Sequence, residues 1–217
     1  MNVEQARFNM VEQQIRTWEV LDTGILALLF ELKRERFVPA AQAGLAFADL
    51  EIPLGHGESM MQPKIEARIL QELAVQPAET VYEVGTGSGY LAALLARRAR
   101  HVTSAEIHDD LREGAARNLA AAGVANVTLL AGDSARAPLG ESGYDVIVLT
   151  GSTPVLPGAF LDRLNPGGRL FAVVGDPPAM NAVVLSQGER GQWRRTEVFD
   201  TVLKPLVNAQ APARFRF

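Results

Sequence analysis

Val81-Tyr82-Glu83-Val84-Gly85-Thr86-Gly87-Ser88-Gly89-Tyr90, running on into Leu91-Ala92-Ala93-Leu94-Leu95-Ala96, decides the fold. A short apolar run with an acid near its end gives way to three glycines alternating with small hydroxyl residues. Helix-forming residues follow at once. The order reads as a strand, a tight turn and a helix start. Glycines let the backbone reach positive φ and let a ligand approach the amides. The helix start adds unpaired N–H groups and partial positive charge. The segment therefore predicts a nucleotide-like ligand over the turn; the plainer alternative is a Gly-rich turn that binds nothing.

Two ligand classes compete. The dinucleotide fingerprint is G-x-G-x-x-G, whereas Gly85, Gly87 and Gly89 give G-x-G-x-G, with Tyr90 where the third fingerprint glycine would stand. An S-adenosylmethionine (SAM) site resembles the shorter pattern. Glu83 beside the turn repels a pyrophosphate and suits a cationic ligand. Two more strand ends add weight. His101-Val102-Thr103-Ser104-Ala105-Glu106 ends in an acid about 20 residues past the turn, where a carboxylate accepts from ribose hydroxyls. Asn126 to Asp133 ends in Gly132-Asp133, placed to accept from an adenine amino group. Each has a bland reading: Glu106 a solvated strand-end acid, Asp133 an Asx turn. Acids at three successive strand ends carry more weight together, because ligands in open α/β sheets sit beyond the carboxyl ends of the strands.

Composition narrows the classes. The chain has 217 residues, 47% of them hydrophobic, which suits one α/β domain with an extension. We expect a single domain over 1–217, with a helical extension over 1–76 and a Rossmann-like core over 77–217. Net charge is −4, so no basic surplus points to nucleic acid. There is no cysteine, which removes disulfides and thiol nucleophiles, and His56, His101 and His108 lack metal-ligand spacing. No metal is expected. No apolar run is long enough for a bilayer and the N-terminal stretch is polar, so the expected location is cytoplasmic.

Elements follow from periodicity. A helix is expected over Val3–Arg16 with Val3, Phe8, Val11 and Ile15 as its apolar positions, and a second after an Asp22-Thr23 cap. Residues 40–61 read as a loop-rich connector with a short strand near Leu50–Leu54. Pro63 opens a helix to about Leu73. Strands are expected at Thr80–Val84, His101–Glu106, Val127–Leu130, Tyr144–Thr150, Arg169–Val174, Ala182–Gln187 and Trp193–Leu203, with helices at Tyr90–Ala99, Asp110–Ala122 and Gly158–Leu164. The last two strands leave no room for a crossover helix, so they form an antiparallel hairpin near one sheet edge. The fold class is α/β: a Rossmann-like, mostly parallel seven-stranded sheet.

Several segments carry a resemblance across nearly the whole chain. Met10-Val11-Glu12-Gln13-Gln14-Ile15, Arg34-Glu35-Arg36-Phe37-Val38-Pro39, Ala46-Phe47-Ala48-Asp49, the glycine turn, Asn126-Val127 with Gly132-Asp133, and Tyr144-Asp145-Val146-Ile147-Val148 together resemble the protein-L-isoaspartate O-methyltransferase family. The resemblance implies SAM as cofactor, held by Glu83, Gly85, Thr86, Gly87, Ser88, Gly89, Glu106, Gly132 and Asp133. It implies methyl transfer to a carboxylate of damaged, isoaspartyl-containing protein or peptide, with Gly55–Pro63 over the methyl group.

One segment departs from the family pattern. Where the family shows Gly-Gln-Thr-Ile-Ser-Gln-Pro, this chain has Gly57-Glu58-Ser59-Met60-Met61-Gln62-Pro63. Met61 stands in place of the serine beside the acceptor carboxylate, and a thioether donates no hydrogen bond. Losing one oriented donor costs on the order of 10²–10³ in rate. Ser59 is a candidate substitute hydroxyl, on the same face as Met61 if the segment is extended; otherwise it forms a local turn bond. Glu58 either weakens an anionic acceptor's binding or is a solvated loop acid. The alternatives to isoaspartyl repair are a relative methylating another acceptor and a SAM-binding interaction module without turnover. An NAD-dependent oxidoreductase fits poorly.

Overall fold

A computed structural model describes residues 2–188 and 191–212. The N-terminal region holds helices α1 (Val3–Asn9) and α2 (Thr23–Glu31), the hairpin strands β1 (Ile52–Gly55) and β2 (Glu58–Met60), and helix α3 (Pro63–Leu73). The core then runs β3 (Thr80–Val84), α4 (Tyr90–Ala96), β4 (His101–Glu106), α5 (Asp109–Ala121), β5 (Val127–Ala131), β6 (Tyr144–Thr153), β7 (Leu164–Asp176), β8 (Ala179–Gln187) and β9 (Trp193–Asp200). The sheet order is β5-β4-β3-β6-β7-β8-β9. The first five strands in that order pair in parallel, and β7-β8-β9 form an antiparallel meander. Chain order reverses between β3 and β6, the crevice where open α/β sheets take their ligands. No helix among the described residues is long and apolar enough to cross a membrane.

The central strands are apolar because both their faces are covered: Val81, Val102, Val146 and Val148 are fully buried. One hydrophobic cluster joins the N-terminal helices to the sheet, running from Met10 and Ile15 through Ile65 and Leu70 to Phe171. Residues Arg34 and Glu66 lie inside this packing. Arg34 is completely buried; it sits 3.3 Å from Glu66 and donates to the carbonyls of Ala46 (2.8 Å) and Met61 (2.7 Å). The Arg34–Pro39 signature thus fastens the connector to α3.

Five expectations change. Val3 and Phe8 are exposed rather than buried. The helix widens into a π-type turn over Met10–Ile15, and its extra residue rotates Met10, Val11 and Ile15 inward. The connector holds a two-stranded hairpin rather than one short strand, closed by Gly55, His56 and Gly57, all at positive φ. The expected helix at Gly158–Leu164 is a 3-10 helix over Gly158–Arg163, and α4 stops three residues early. Strand β9 ends at Asp200, not Leu203: beyond it the chain leaves β8 and crosses to β6, where Ser152 N–H donates to the Lys204 carbonyl and Leu206 N–H to the Ser152 carbonyl, both at 2.9 Å. This strap passes so close to Gly151 that a Cβ there would lie 2.8 Å from Leu206.

Candidate active site

A cleft enclosing about 770 Å³, partly open to solvent, lies over the carboxyl ends of β3, β4, β5 and β6. The glycine turn is its floor. Gly85 adopts φ +92, and a Cβ there would lie 2.4 Å from the Thr150 hydroxyl. That hydroxyl is already bound to the carbonyls of Val84 (2.7 Å) and Gly85 (2.9 Å). Gly87 donates its N–H to Glu106 at 2.8 Å, and His108 N–H donates to the other Glu106 oxygen at 3.0 Å. Glu106 faces the cleft from the tip of β4 and holds the turn in place. Its oxygens each keep acceptor capacity after these bonds.

Glu83 sits differently from the other acids. Its side chain is fully buried behind the turn and does not line the cleft, although Val84 and Gly85 on either side of the bend do. Ser104 donates to one Glu83 oxygen at 2.5 Å, so the 2.5 Å contact between Thr86 and Ser104 has Thr86 as donor. The other Glu83 oxygen has no partner. Burial pushes its carboxyl up to about 8; the Ser104 bond works against this, while Glu106 and Glu66 add to it. Thr86 and Ser88 line the adjoining recess beside Met61 and Glu66. Ser88 caps Tyr90 N–H at 3.4 Å. Gly89 carries the chain into α4 at φ +81.

At the tip of β5, Gly132 and Asp133 line the far end of the cleft. Asp133 accepts from Ala135 N–H at 2.9 Å, which is the Asx turn, and from the Asn208 side chain at 2.8 Å. Asp133 thus forms the Asx turn while also lining the cleft. The strap reaches this end too, with Arg136 donating to the Asn208 carbonyl at 3.0 Å.

The β1–β2 hairpin closes the opposite wall. Ser59 and Met61 both face the cleft. Ser59 spends its hydrogen on Glu51 at 2.8 Å, a side chain and not the local backbone. Met61 is 7% exposed, with its carbonyl held by Arg34. Glu58 is partly exposed but not unopposed: Lys204 of the strap donates to it. The hairpin turn docks on the start of α5 through His56, which contacts Asp110 at 2.9 Å and stacks on His108 at 4.2 Å between ring centres.

Sequence reasoning missed Thr150, Glu51 and Lys204. Thr150 had a usable signal, since it ends a strand next to the glycine turn and strand ends are where ligands sit. Glu51 and Lys204 had none, because their placement depends on the hairpin and the strap.

The cleft's lining acids, Glu51, Glu58, Glu106 and Asp133, outnumber its cation Lys204. That balance fits a donor of net positive charge and disfavours a pyrophosphate. With a buried carboxylate, one of its oxygens unpartnered, behind a hydroxyl-rich glycine turn, the fold and site define a Rossmann-like methyltransferase that uses SAM. Comparison with known proteins narrows this class. Residues 5–211 match the model of the protein-L-isoaspartate(D-aspartate) O-methyltransferase (PCMT) family. The protein-L-isoaspartate O-methyltransferase of Methanoculleus marisnigri is 39% identical over 84% of this chain and 83% of its own. That of Koribacter versatilis is 34% identical over 96% and 94%. A Plasmodium falciparum structure of the same description, in complex with S-adenosyl-L-homocysteine, superposes with TM-score 0.79 at 18% identity, covering 95% of this chain and 99% of that one. The chain belongs to the PCMT family.

Proposed function

We propose that this protein transfers the methyl group of SAM to the carboxylate of an isoaspartyl residue in protein or peptide. One observation carries the reading: the family match extends over both halves of the cleft, the glycine turn and the hairpin wall that faces it. When bound, SAM supplies an electrophilic methyl on a good leaving group. The acceptor carboxylate is ionised at neutral pH, so the protein needs no general base. Its work is positioning. Glu106 would accept from the ribose hydroxyls, and the Gly132-Asp133 corner with Ala135 would border the base. Glu83 supports the cationic donor from behind the turn through Ser104 and Thr86, without touching it. Ile107 and Leu111 supply apolar cover. The hairpin wall aligns the acceptor.

A radiolabelled methyl-transfer assay tests the proposal. Turnover is expected on an isoaspartyl peptide and not on its normal aspartyl twin. Equal labelling of both, or none on either while S-adenosylhomocysteine binds, removes it. In the same assay, Met61→Ser should raise kcat/KM by on the order of 10², because the new hydroxyl donates where the thioether does not. The exchange also empties apolar volume, so thermal unfolding should show a loss of about 2–4 kcal/mol. An unchanged kcat/KM would show that a hydroxyl at this position is dispensable in this chain.

A further inference from the structure

A carboxylate acceptor poses a problem for this cleft. Met61 donates nothing, and the Ser59 hydrogen is committed to Glu51. Four carboxylates face the space the acceptor must enter. Among the described residues, Lys204 is the one Lys or Arg side chain that lines the cleft. It reaches the cleft because Leu203 and Leu206 fasten the strap to Ser152 on both sides of it. Its ammonium lies against the hairpin turn, 3.8 Å from where a Gly57 Cβ would be. It is held there by Glu58, on the hairpin that also carries Ser59 and Met61.

We propose that Lys204 binds the acceptor carboxylate, and that Glu58 holds this lysine until the substrate carboxylate displaces it. The inference rests on the isoaspartyl reading above. An ammonium is a compact point charge on a flexible stem, so it exchanges carboxylate partners readily. The pair is partly open to solvent, with side-chain exposures of 41% for Lys204 and 24% for Glu58, so its interior cost is small and exchange is feasible. Glu58 also has a second partner in waiting. His108 Nε2 is buried without a hydrogen bond and lies 4.0 Å from the same Glu58 oxygen. A small movement of Glu58 toward His108 frees Lys204 and leaves the displaced carboxylate paired. Lys204 thereby gives the acceptor carboxylate a donor that Met61 does not, from the strap and not from the hairpin.

Steady-state kinetics with an isoaspartyl peptide at saturating SAM, beside calorimetric titration with S-adenosylhomocysteine, tests this on the full chain. Lys204→Met should raise the peptide KM at least 10-fold, leave the S-adenosylhomocysteine Kd within about twofold and be largely rescued by Lys204→Arg. Glu58→Gln should lower KM, because the lysine no longer has a competing partner. The opposite signs matter: were the ion pair only a strut holding strap to hairpin, breaking it from either end would shift KM the same way. Shifts of the same sign, or a Lys204→Met KM within twofold of the parent, would overturn the proposal. Absence of isoaspartyl turnover by the parent protein would instead overturn the substrate reading and Lys204's role with it.

Discussion

Gly85→Ala should cost the protein roughly 2–5 kcal/mol and its measurable affinity for S-adenosylhomocysteine. Two terms add. The residue sits at φ +92, where an L side chain is strained by about 1–2 kcal/mol. The new methyl would also lie 2.4 Å from the Thr150 hydroxyl, and forced overpacking of this kind costs about 1–3 kcal/mol. Thr150 has no cheap escape, since swinging away breaks its bonds to the Val84 and Gly85 carbonyls. Against a total stability of about 5–15 kcal/mol this is a large fraction. Gly87→Ala makes a useful contrast. Its φ of +53 is within the ordinary left-handed region, and the nearest atom is the flexible end of Leu54 at 3.1 Å. That variant should be destabilised only by the backbone strain, about 1–2 kcal/mol, yet bind the cofactor product more weakly as Leu54 is pushed into the cleft. Adding Thr150→Ala to Gly85→Ala should restore part of the loss by removing the overlap but not the strain. Thermal unfolding and calorimetric titration read both quantities. A Gly85→Ala protein with parental melting and affinity would show that the turn is not held as the structure has it.

The contrast between those two glycines also shows what a sequence discloses. The G-x-G-x-G spacing marks a turn with special backbone needs, but not which glycine is pressed against Thr150, a residue 65 positions away. Elsewhere the same division holds. The bounds of β3, β4 and α3 were legible because each is set by local signals: an apolar run buried on both faces ending at glycine or an acid, and a proline at the first helical turn. Phe8 was misjudged because it lies before a π-type turn whose extra residue puts Val11 and Ile15 out of phase with the helix that precedes them, and no side-chain pattern announces such a turn. The strap was misread as more of β9 because Val202 and Leu203 look like strand; only the tip of β6, about 50 residues back, competes for them. Of the expected site residues, those on strand tips face the cleft. Glu83 does not, because the strand that carries it is central and covered on both sides.

That burial makes Glu83 the source of the second large effect, on pH dependence. Its carboxyl is pushed up to about 8 in the folded protein, from an ordinary value of 4.5, mainly by loss of water. The folded state therefore keeps a proton that the unfolded chain releases. Stability is greatest below pH 4.5 as far as this group is concerned, falls as pH rises from there to about 8, and levels off above. Glu66, raised to about 7 by burial against the opposing pull of Arg34, adds a second fall between 4.5 and about 7. Within its window, each such proton makes stability fall by up to about 1.4 kcal/mol per pH unit. Glu83→Gln should remove the higher window: the melting temperature of the variant should exceed the parent's at pH 8 and the two should converge near pH 5. The gain in stability should come with a loss in binding. A sulfonium at the turn favours the ionised carboxylate, so uptake of SAM near pH 7 should expel a fraction of a proton, while S-adenosylhomocysteine, which lacks that charge, should expel less. Calorimetry in two buffers of different ionisation enthalpy measures the difference directly, and Glu83→Gln should abolish most of it. If the parent releases the same number of protons with both ligands, Glu83 is not coupled to the donor's charge, and the buried acid belongs to the architecture of the turn alone.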